Sequence, residues 1–412
     1  MQEYSPTQVQ TLIEETVENS LEGLLREGAR RMLQAALDME VATYIEQCKE
    51  QVDGNGHRQV VRNGHHVPRE VVTGVGPLPI RQPRIHDRRP NQHFTSAILP
   101  PYLRRTPSID ALIPALYLKG VSTSQFPEAL SAILGDGVSG LSSANIVRLK
   151  AIWEQEYTAW HKRNLTGKHY VYIWVDGIYF NVRLAPDRPC VLVVIGATPD
   201  GCKELIAIED GERESKLSWQ AVLDDLKARG LSRAPTVAIG DGALGFWAAL
   251  REAYPATKEQ RCWVHKTANV LDKLPKSQQP KAKEMIQQMY GADTKEEALG
   301  QYDQFVRLLE AKYPKACACL SKDKDALFTF YDFPAHHWRH LRTTNPIEST
   351  FGTVRHRTRQ TKGCGSRKAT LMMVYKLASE AEKKWQRLHG CKWLAKVVEG
   401  VQFVDGVMKK AA

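Results

Sequence analysis

Cysteine is scarce: this 412-residue chain has eight, and no two of them form a Cys-x-x-Cys pair. Cys317 and Cys319 stand too close together to seed a common zinc module. A disulfide-stapled secreted scaffold is therefore excluded, and reduced thiols in a cytoplasmic protein are expected. Long apolar runs are missing as well. No stretch approaches the ~20 residues that a bilayer span requires, so no membrane partner is expected. The opening MQEYSPTQ lacks the basic-then-apolar layout of a secretory leader. Tandem repeats and low-complexity tracts are absent, and a content of 42% hydrophobic and 25% charged residues excludes a mostly disordered chain. At ~150 residues per domain the length corresponds to two to four modules. What is in excess is positive charge. Lys and Arg number 57 against 46 Asp and Glu, a formal net charge of +11, which favours a polyanionic partner.

Residues 1–56 read as a helical region. Val9, Leu12, Ile13, Val17, Leu21 and Leu24 make one apolar stripe, and Leu33, Leu37, Val41 and Ile45 a second. Neither extends into a long heptad, so packing or dimer contacts are expected rather than a coiled coil. Residues 57–107 turn to Arg, Pro and Gly. Arg58, Arg62, Arg69, Arg81, Arg84, Arg88, Arg89, Arg104 and Arg105 occur there without a lysine, facing Glu70 and Asp87 as the acids. Guanidinium forks suit phosphate, making Arg58, Arg62, Arg81, Arg84, Arg88 and Arg89 candidate DNA contacts. A solvated charged surface would look the same. Strands are expected at Val71–Val75 and Leu78–Gln82. Residues 108–165 read as helices at Ser108–Leu118 and Thr123–Leu134, a Gly-rich turn, and a helix from a Ser142 cap through Trp153. With Arg148 and Lys150 on the last helix, the pattern is that of a helix-turn-helix-like DNA-binding region, and equally of any small helical bundle.

From residue 166 the apolar period switches to that of strands. Tyr170–Arg183, Cys190–Thr198, Cys202–Glu209, Thr236–Ile239 and Thr257–Trp263 read as strands, and Ser215–Arg229 and Leu244–Ala253 as helices. Three hairpin-linked strands followed by helix, strand, helix and strand is the order of an RNase H-like core. Its first part would be residues 166–265. Residues 266–335 are polar and helical, broken at Pro275, Pro280, Gly291 and Pro314, and read as an insertion. Residues 336–390 would supply the second part of the core, with helices from Pro346 to about Thr358 and over Ala369–Leu388. Residues 391–412 are a tail. The expected fold is thus α/β: an RNase H-like mixed sheet core with an all-helical insertion, preceded by helical and basic N-terminal DNA-binding regions.

Three acids are candidates for chemistry. Asp176 lies in the first of these strands, Asp241 ends the fourth, and Glu348 opens a late helix. In such a sheet the first and fourth strands are central neighbours, so the two Asp would converge, and a helix crossing the sheet would bring Glu348 to them. Hard oxygen ligands of this kind hold a pair of Mg²⁺ ions ~3.5–4 Å apart in phosphoryl chemistry. Other readings stay open. Asp-Gly is a hairpin-turn signal, which Asp176 and Asp241 both carry. Asn345-Pro346-Ile347-Glu348 fits a capping box. Glu209-Asp210-Gly211 has the same style, but its strand belongs at the sheet edge.

Further strings occur in order: Arg62-Asn63-Gly64 with Thr73-Gly74, Gly120-Val121-Ser122-Thr123, Val175-Asp176-Gly177-Ile178-Tyr179-Phe180, Gly240-Asp241-Gly242, Gln260-Arg261-Cys262-Trp263-Val264-His265 and Thr343-Thr344-Asn345-Pro346-Ile347-Glu348-Ser349. Over roughly residues 60 to 390 their order and spacing resemble the Mutator-type transposases of bacterial insertion sequences. That resemblance implies a DDE triad on an RNase H-like core with a helical insertion between the second Asp and the Glu. It carries Asp176, Asp241 and Glu348 into catalytic, Mg²⁺-binding roles, with Mn²⁺ as a substitute ion. It also implies double-stranded DNA as partner, both the element's terminal inverted repeats and target DNA, cleaved and joined by a homodimer or larger assembly, cytoplasmic and nucleoid-associated. The chain departs from the family at Gly240, often Ser there, at Lys266-Thr267-Ala268-Asn269 after the His, and at Gly363-Cys364-Gly365, where a Phe-Pro-Asn element is common.

Cys262 and His265 match the family's Cys-x-x-His signature. With no second pair nearby, they are expected beside the active site, His265 meeting a phosphate and Cys262 packing, rather than as a zinc site. After Glu348 come Arg355, Arg357, Arg359, Lys362, Arg367 and Lys368, with Ile347, Phe351 and Val354 as the buried stripe of the same helix. Arg355, Arg357, Arg359 and Lys362 are taken as a DNA track. Two other classes remain: an RNase H-like structure-specific nuclease, and a non-catalytic DNA-binding derivative of a transposase.

Overall fold

The structure is a computed structural model that describes residues 21–109, 112, 116, 121, 128–129, 143–180, 190–211, 213–242, 244–360 and 366–409, without the side chains of 143–150, 244, 353, 355–360 and 369. The chain divides into two compact units, Met1–Leu149 and Lys150–Ala412.

In the first unit a long helix, α1 (Leu21–Gln47), is followed by strands β1 (Val60–His65), β2 (Arg69–Thr73), β3 (Gly76–Ile80) and β4 (Pro83–Asp87). β2 pairs with β3 and β1 with β4, both antiparallel. Leu37 of α1 packs with Val71, Leu78, Ile80 and Leu99 to form the core. The sequence points to short strands such as Val71–Val75 and Leu78–Gln82, and the structure adds β1 and β4 to them. β1 and β4 read Val-Val-Arg-Asn-Gly-His and Pro-Arg-Ile-His-Asp, too polar for an apolar period to show. Val75 lies in the β2–β3 turn rather than in a strand. Residues 1–20, the helices expected at Ser108–Leu118 and Thr123–Leu134, and the Gly-rich turn fall wholly or largely outside the described residues. Helix α2 (Ser143–His161) runs past the expected end at Trp153. Its last turns are held by Tyr157 and Trp160, whose rings pack on Tyr375 at centroid distances of 5.4 and 5.0 Å.

The second unit is a mixed α/β assembly around β5 (Tyr172–Tyr179), β6 (Cys190–Ala197), β7 (Lys203–Gly211), α3 (Lys216–Ala228), β8 (Val237–Gly240), α4 (Leu244–Ala253) and β9 (Lys258–Arg261). The strands form one sheet in the order β7-β6-β5-β8-β9. β5, β6 and β7 are antiparallel, and β5, β8 and β9 parallel. Side chains alternate across a strand. Ile173 and Val175 of β5 and Leu192 and Val194 of β6 face α3 and α4, against Trp219, Leu223, Phe246 and Leu250. Tyr172 and Trp174 take the other face. There the Tyr172 ring meets Phe333 edge-on at 5.7 Å and the indole of Trp174 donates to the His340 carbonyl at 2.8 Å. Covered on both sides, β6 is buried along its whole length, which is why it reads as a continuous apolar run.

Four helices follow: α5 (Trp263–Leu271), α6 (Gln279–Gly291), α7 (Lys295–Leu309) and α8 (Pro314–Ser321). Pro280 and Pro314 stand in the first turns of α6 and α8, where a missing N–H costs nothing. The fifth strand ends at Arg261, short of the expected Trp263. Cys262 N donates to the Gly240 carbonyl at 2.8 Å, and the Cys262 carbonyl already accepts from Lys266 N at 3.0 Å. Strand therefore turns into helix at Cys262, and His265 lies in the first turn of α5. After single helical turns at Lys324–Leu327 and Trp338–Leu341 come helices α9 (Asn345–Gln360) and α10 (Arg367–Glu382), with Ile347, Phe351 and Val354 buried as the stripe implied.

Residues 391–409, read as a tail, carry α11 (Leu394–Val398) and a hairpin of β10 (Phe403–Val404) and β11 (Val407–Met408). Asp405 and Gly406 at its tip have φ of 48° and 77°, the positive values that a two-residue Asp-Gly hairpin takes. Gly406 N donates to the Tyr331 carbonyl at 3.2 Å and Asp405 Oδ1 accepts from Lys295 N at 2.7 Å. No helix among the described residues is long and apolar enough to cross a membrane.

Candidate active site

The parallel ladder between β5 and β8 sets the first two acids. Trp174 pairs with Ile239, so two residues further on Asp176 stands in step with Asp241, one position past the end of β8. Asp176 is mid-strand, paired with Val193 of β6 and only 6% exposed, so it is no turn former. Its side chain shares the face of Trp174 and Tyr172, against which α9 packs. Asp241 is half-buried. Its carbonyl accepts from the Trp247 indole at 2.9 Å. A Cβ on Gly240 would come within 2.9 Å of Val175 Cγ2 and 3.2 Å of Trp247 Cζ2, so glycine suits this position. Asp210 lies on the edge strand β7 and meets Arg367 at 3.1 Å, away from these two.

Glu348 comes from the first turn of α9. The Thr344 carbonyl accepts from Ile347 N at 2.9 Å and Glu348 N at 3.1 Å, so the helix is entered one residue before the expected Asn345 cap. Asn345 N goes to Thr343 Oγ1 at 3.3 Å, and the capping box is not formed. The carboxylate of Glu348 instead accepts from Thr344 Oγ1 at 3.1 Å, and that hydroxyl also lies 3.5 Å from Cys262 Sγ. His265 Nε2 is 3.9 Å from Glu348 Oε1. One ligand-type atom each from Cys262, His265 and Glu348 lies within 4.8 Å of the others.

Electrostatics tie these groups to the two Asp. The hydrogen bond with Cys262 outweighs burial and pushes His265 up to about 9, with the Asp176 and Asp241 carboxylates adding to the effect. Burial raises the Cys262 thiol, but the hydrogen bond and charge of His265 outweigh it and lower it overall.

A further acid escaped the sequence reading. Glu214 directly precedes Ser215, the N-cap of α3, and its carboxylate fills the space a Cβ on Gly177 would occupy. Burial, then the charges of Asp241 and Asp176, push its carboxyl up to about 8. The signal available in sequence was Gly177 itself, since a glycine inside a strand marks a close approach by another group.

A family model described as transposase, Mutator family, matches residues 1–388. The chain belongs to the Mutator family of transposases. Among its relatives, the transposase for insertion sequence element IST2 of Acidithiobacillus ferrooxidans is 52% identical over 287 residues, 68% of this chain and 95% of that protein. The transposase for IS6120 of Mycolicibacterium smegmatis is 51% identical over 295 residues, 72% of this chain and 91% of that one. An alignment with the solved Drosophila P element transposase strand transfer complex covers 72% of this chain and 89% of that chain at 9% identity, with a TM-score of 0.22, too low for folds to be compared.

The cationic candidates of this Mutator transposase fall into distinct groups. Arg62 is engaged by Asp38 at 2.7 Å. Arg89 forks onto Asp87 at 2.6 Å and reaches Tyr44 and Gln51. Arg58, Arg81, Arg84 and Arg88 are exposed. The side chains of Arg148, Lys150, Arg355, Arg357 and Arg359, and all of Lys362, lie outside the described residues. Arg367 and Lys368 are not free additions to a cationic track, for they meet Asp210 at 3.1 Å and Glu154 at 2.5 Å.

Proposed function

We propose that this chain is a DDE transposase with an RNase H-like core, which binds the terminal inverted repeats of its own insertion sequence and cleaves and joins DNA. The observation that supports it most is the register of Asp176 with Asp241 at the end of neighbouring central parallel strands, with Glu348 linked to the same corner through His265. Asp176, Asp241 and Glu348 offer hard carboxylate oxygens, a donor set that fits Mg²⁺, or Mn²⁺ in its place. Such ions, when bound, activate the attacking oxygen and stabilise the leaving one in an in-line displacement.

The chain's own residues do the rest. Thr344 orients Glu348 through its hydroxyl. His265, held cationic by Cys262, offers Nε2–H to a non-bridging phosphate oxygen, a charge-assisted bond that holds the scissile phosphate. Water attacks phosphorus at the element end, and the P–O3′ bond breaks to leave a 3′-hydroxyl. That hydroxyl then attacks a target phosphodiester at the same carboxylates and releases a target 3′-hydroxyl. Residues 57–107 and 108–165 supply end binding, with Arg84 and its exposed neighbours on phosphates. Two ends need two active sites, hence a homodimer or larger assembly on DNA.

The test is a labelled element end with Mg²⁺, comparing the native protein with Asp241→Asn. Cleavage and joining are expected from the former alone, with end binding equal in both. Cleavage by Asp241→Asn at the native rate would refute the assignment of the acids, and cleavage without joining would indicate a nuclease instead.

A further inference from the structure

We propose that Glu214 is a fourth carboxylate ligand of the divalent-ion site, reaching it over Gly177 from the sheet face opposite Glu348. The inference rests on the reading of Asp176, Asp241 and Glu348 as the ion-holding acids.

The backbone that carries Glu214 is held on two sides. Ser215 caps α3, its hydroxyl accepting from Ser218 N at 3.1 Å. The first turn of α4 is packed directly against the same peptide units, for a Cβ on Gly245 would lie 2.6 Å from Lys216 N and 2.7 Å from the Glu214 carbonyl oxygen. From this anchored position the side chain extends into the place left open at Gly177, the residue after Asp176. By strand alternation Gly177 faces α3 and α4, whereas Asp176 faces α9. Glu214 thus approaches the ends of β5 and β8 from one side of the sheet and Glu348 from the other. Asp241 and then Asp176 are the acids whose charge it feels most, and His265 is the cation acting on it among the described residues. A half-buried carboxylate that feels the charge of two others, with an imidazolium as its counter-charge, is what a divalent cation would be expected to complete.

The experiment measures Mn²⁺ binding to the purified full chain, without DNA, from the loss of the free-ion electron paramagnetic resonance signal. Asp241→Asn, Glu214→Gln and Gly177→Ala are compared with the native protein. Gly177→Ala keeps every acid but puts a methyl group where the Glu214 carboxylate lies, so the flexible end of Glu214 must move away. Since loss even of outer partners weakens metal binding about 10–100-fold, each variant should bind Mn²⁺ at least about tenfold more weakly. Native-like binding by Glu214→Gln or by Gly177→Ala, with Asp241→Asn weakened, overturns the role of Glu214 and leaves the triad standing. Native-like binding by Asp241→Asn overturns the triad itself. Should Glu214→Gln fail to melt cooperatively, Gly177→Ala decides by the same signal.

Discussion

The Tyr172 hydroxyl lies 2.8 Å from His337 Nδ1, and the other ring nitrogen of His337 lies 3.0 Å from the Gly390 carbonyl. The pair joins the centre of the sheet to the chain just before α9 and to the segment after α10. A neutral imidazole satisfies both contacts at once, accepting from Tyr172 at Nδ1 and donating to Gly390 from Nε2.

Burial pushes His337 down to about 4 from its ordinary 6.5, which sets an acid limit on stability. Above pH 6.5 both folded and unfolded chains hold it neutral. Below that the unfolded chain takes a proton that the folded one refuses, so stability falls as pH drops from about 6.5 to 4, by of order 3 kcal/mol. His340, also lowered to about 4 by burial, adds to the slope. Denaturant unfolding at pH 7 and pH 4.5 should show a smaller difference for His337→Gln than for the native chain. An equal difference would mean that His337 does not titrate in this way.

Gly240 is confined by Val175 and the Trp247 ring. Gly240→Ala should cost about 1–3 kcal/mol by overpacking, seen as a lower melting temperature. Trp247→Leu is costly by itself, since it loses core packing and the indole bond to the Asp241 carbonyl, but in that background the added cost of Gly240→Ala should be smaller. If the double variant is less stable than the sum of the singles, the crowding account is wrong.

Arg84 is exposed, whereas Arg62 is already paired with Asp38. Arg84→Ala should lower the slope of log affinity for element-end DNA against log salt by about one, and Arg62→Ala should change it less. Equal effects from both would place Arg62 at the interface despite its partner.

Thr344 orients Glu348 and is itself buried. Thr344→Val keeps the shape and removes the hydroxyl. Mg²⁺-dependent cleavage should slow by about tenfold or more, by analogy with outer partners of metal ligands, while end binding stays as it was. Unchanged cleavage would show that Glu348 is positioned by other contacts.

The sheet of the second unit was legible because its signals are local. Apolar runs such as Val191–Ile195, the Pro-Asp-Gly turn after Ala197 and the Ser215 cap each act within a few residues, so the strands and helices lie within a few residues of their expected places. Ile347, Phe351 and Val354 likewise announced the buried side of α9. Where polar residues interrupt the pattern it failed. Arginine and histidine in β1 and β4 hid two strands. The Asp405-Gly406 hairpin went unread between two-residue strands too short to show a period.

By itself, then, the chain of residues determined the strands and helices of the central sheet, the place of Asp176 within a strand and of Asp241 and Glu348 at element ends, and the family to which they belong. Tertiary structure alone decided that Thr344 and His265 meet Glu348, that Arg62 and Arg89 are engaged by acids, and that Glu214 reaches over Gly177. Each of those relationships joins side chains from separate segments. Periodicity and capping act over a few residues, and neither carries information about which segments the folded core brings into contact.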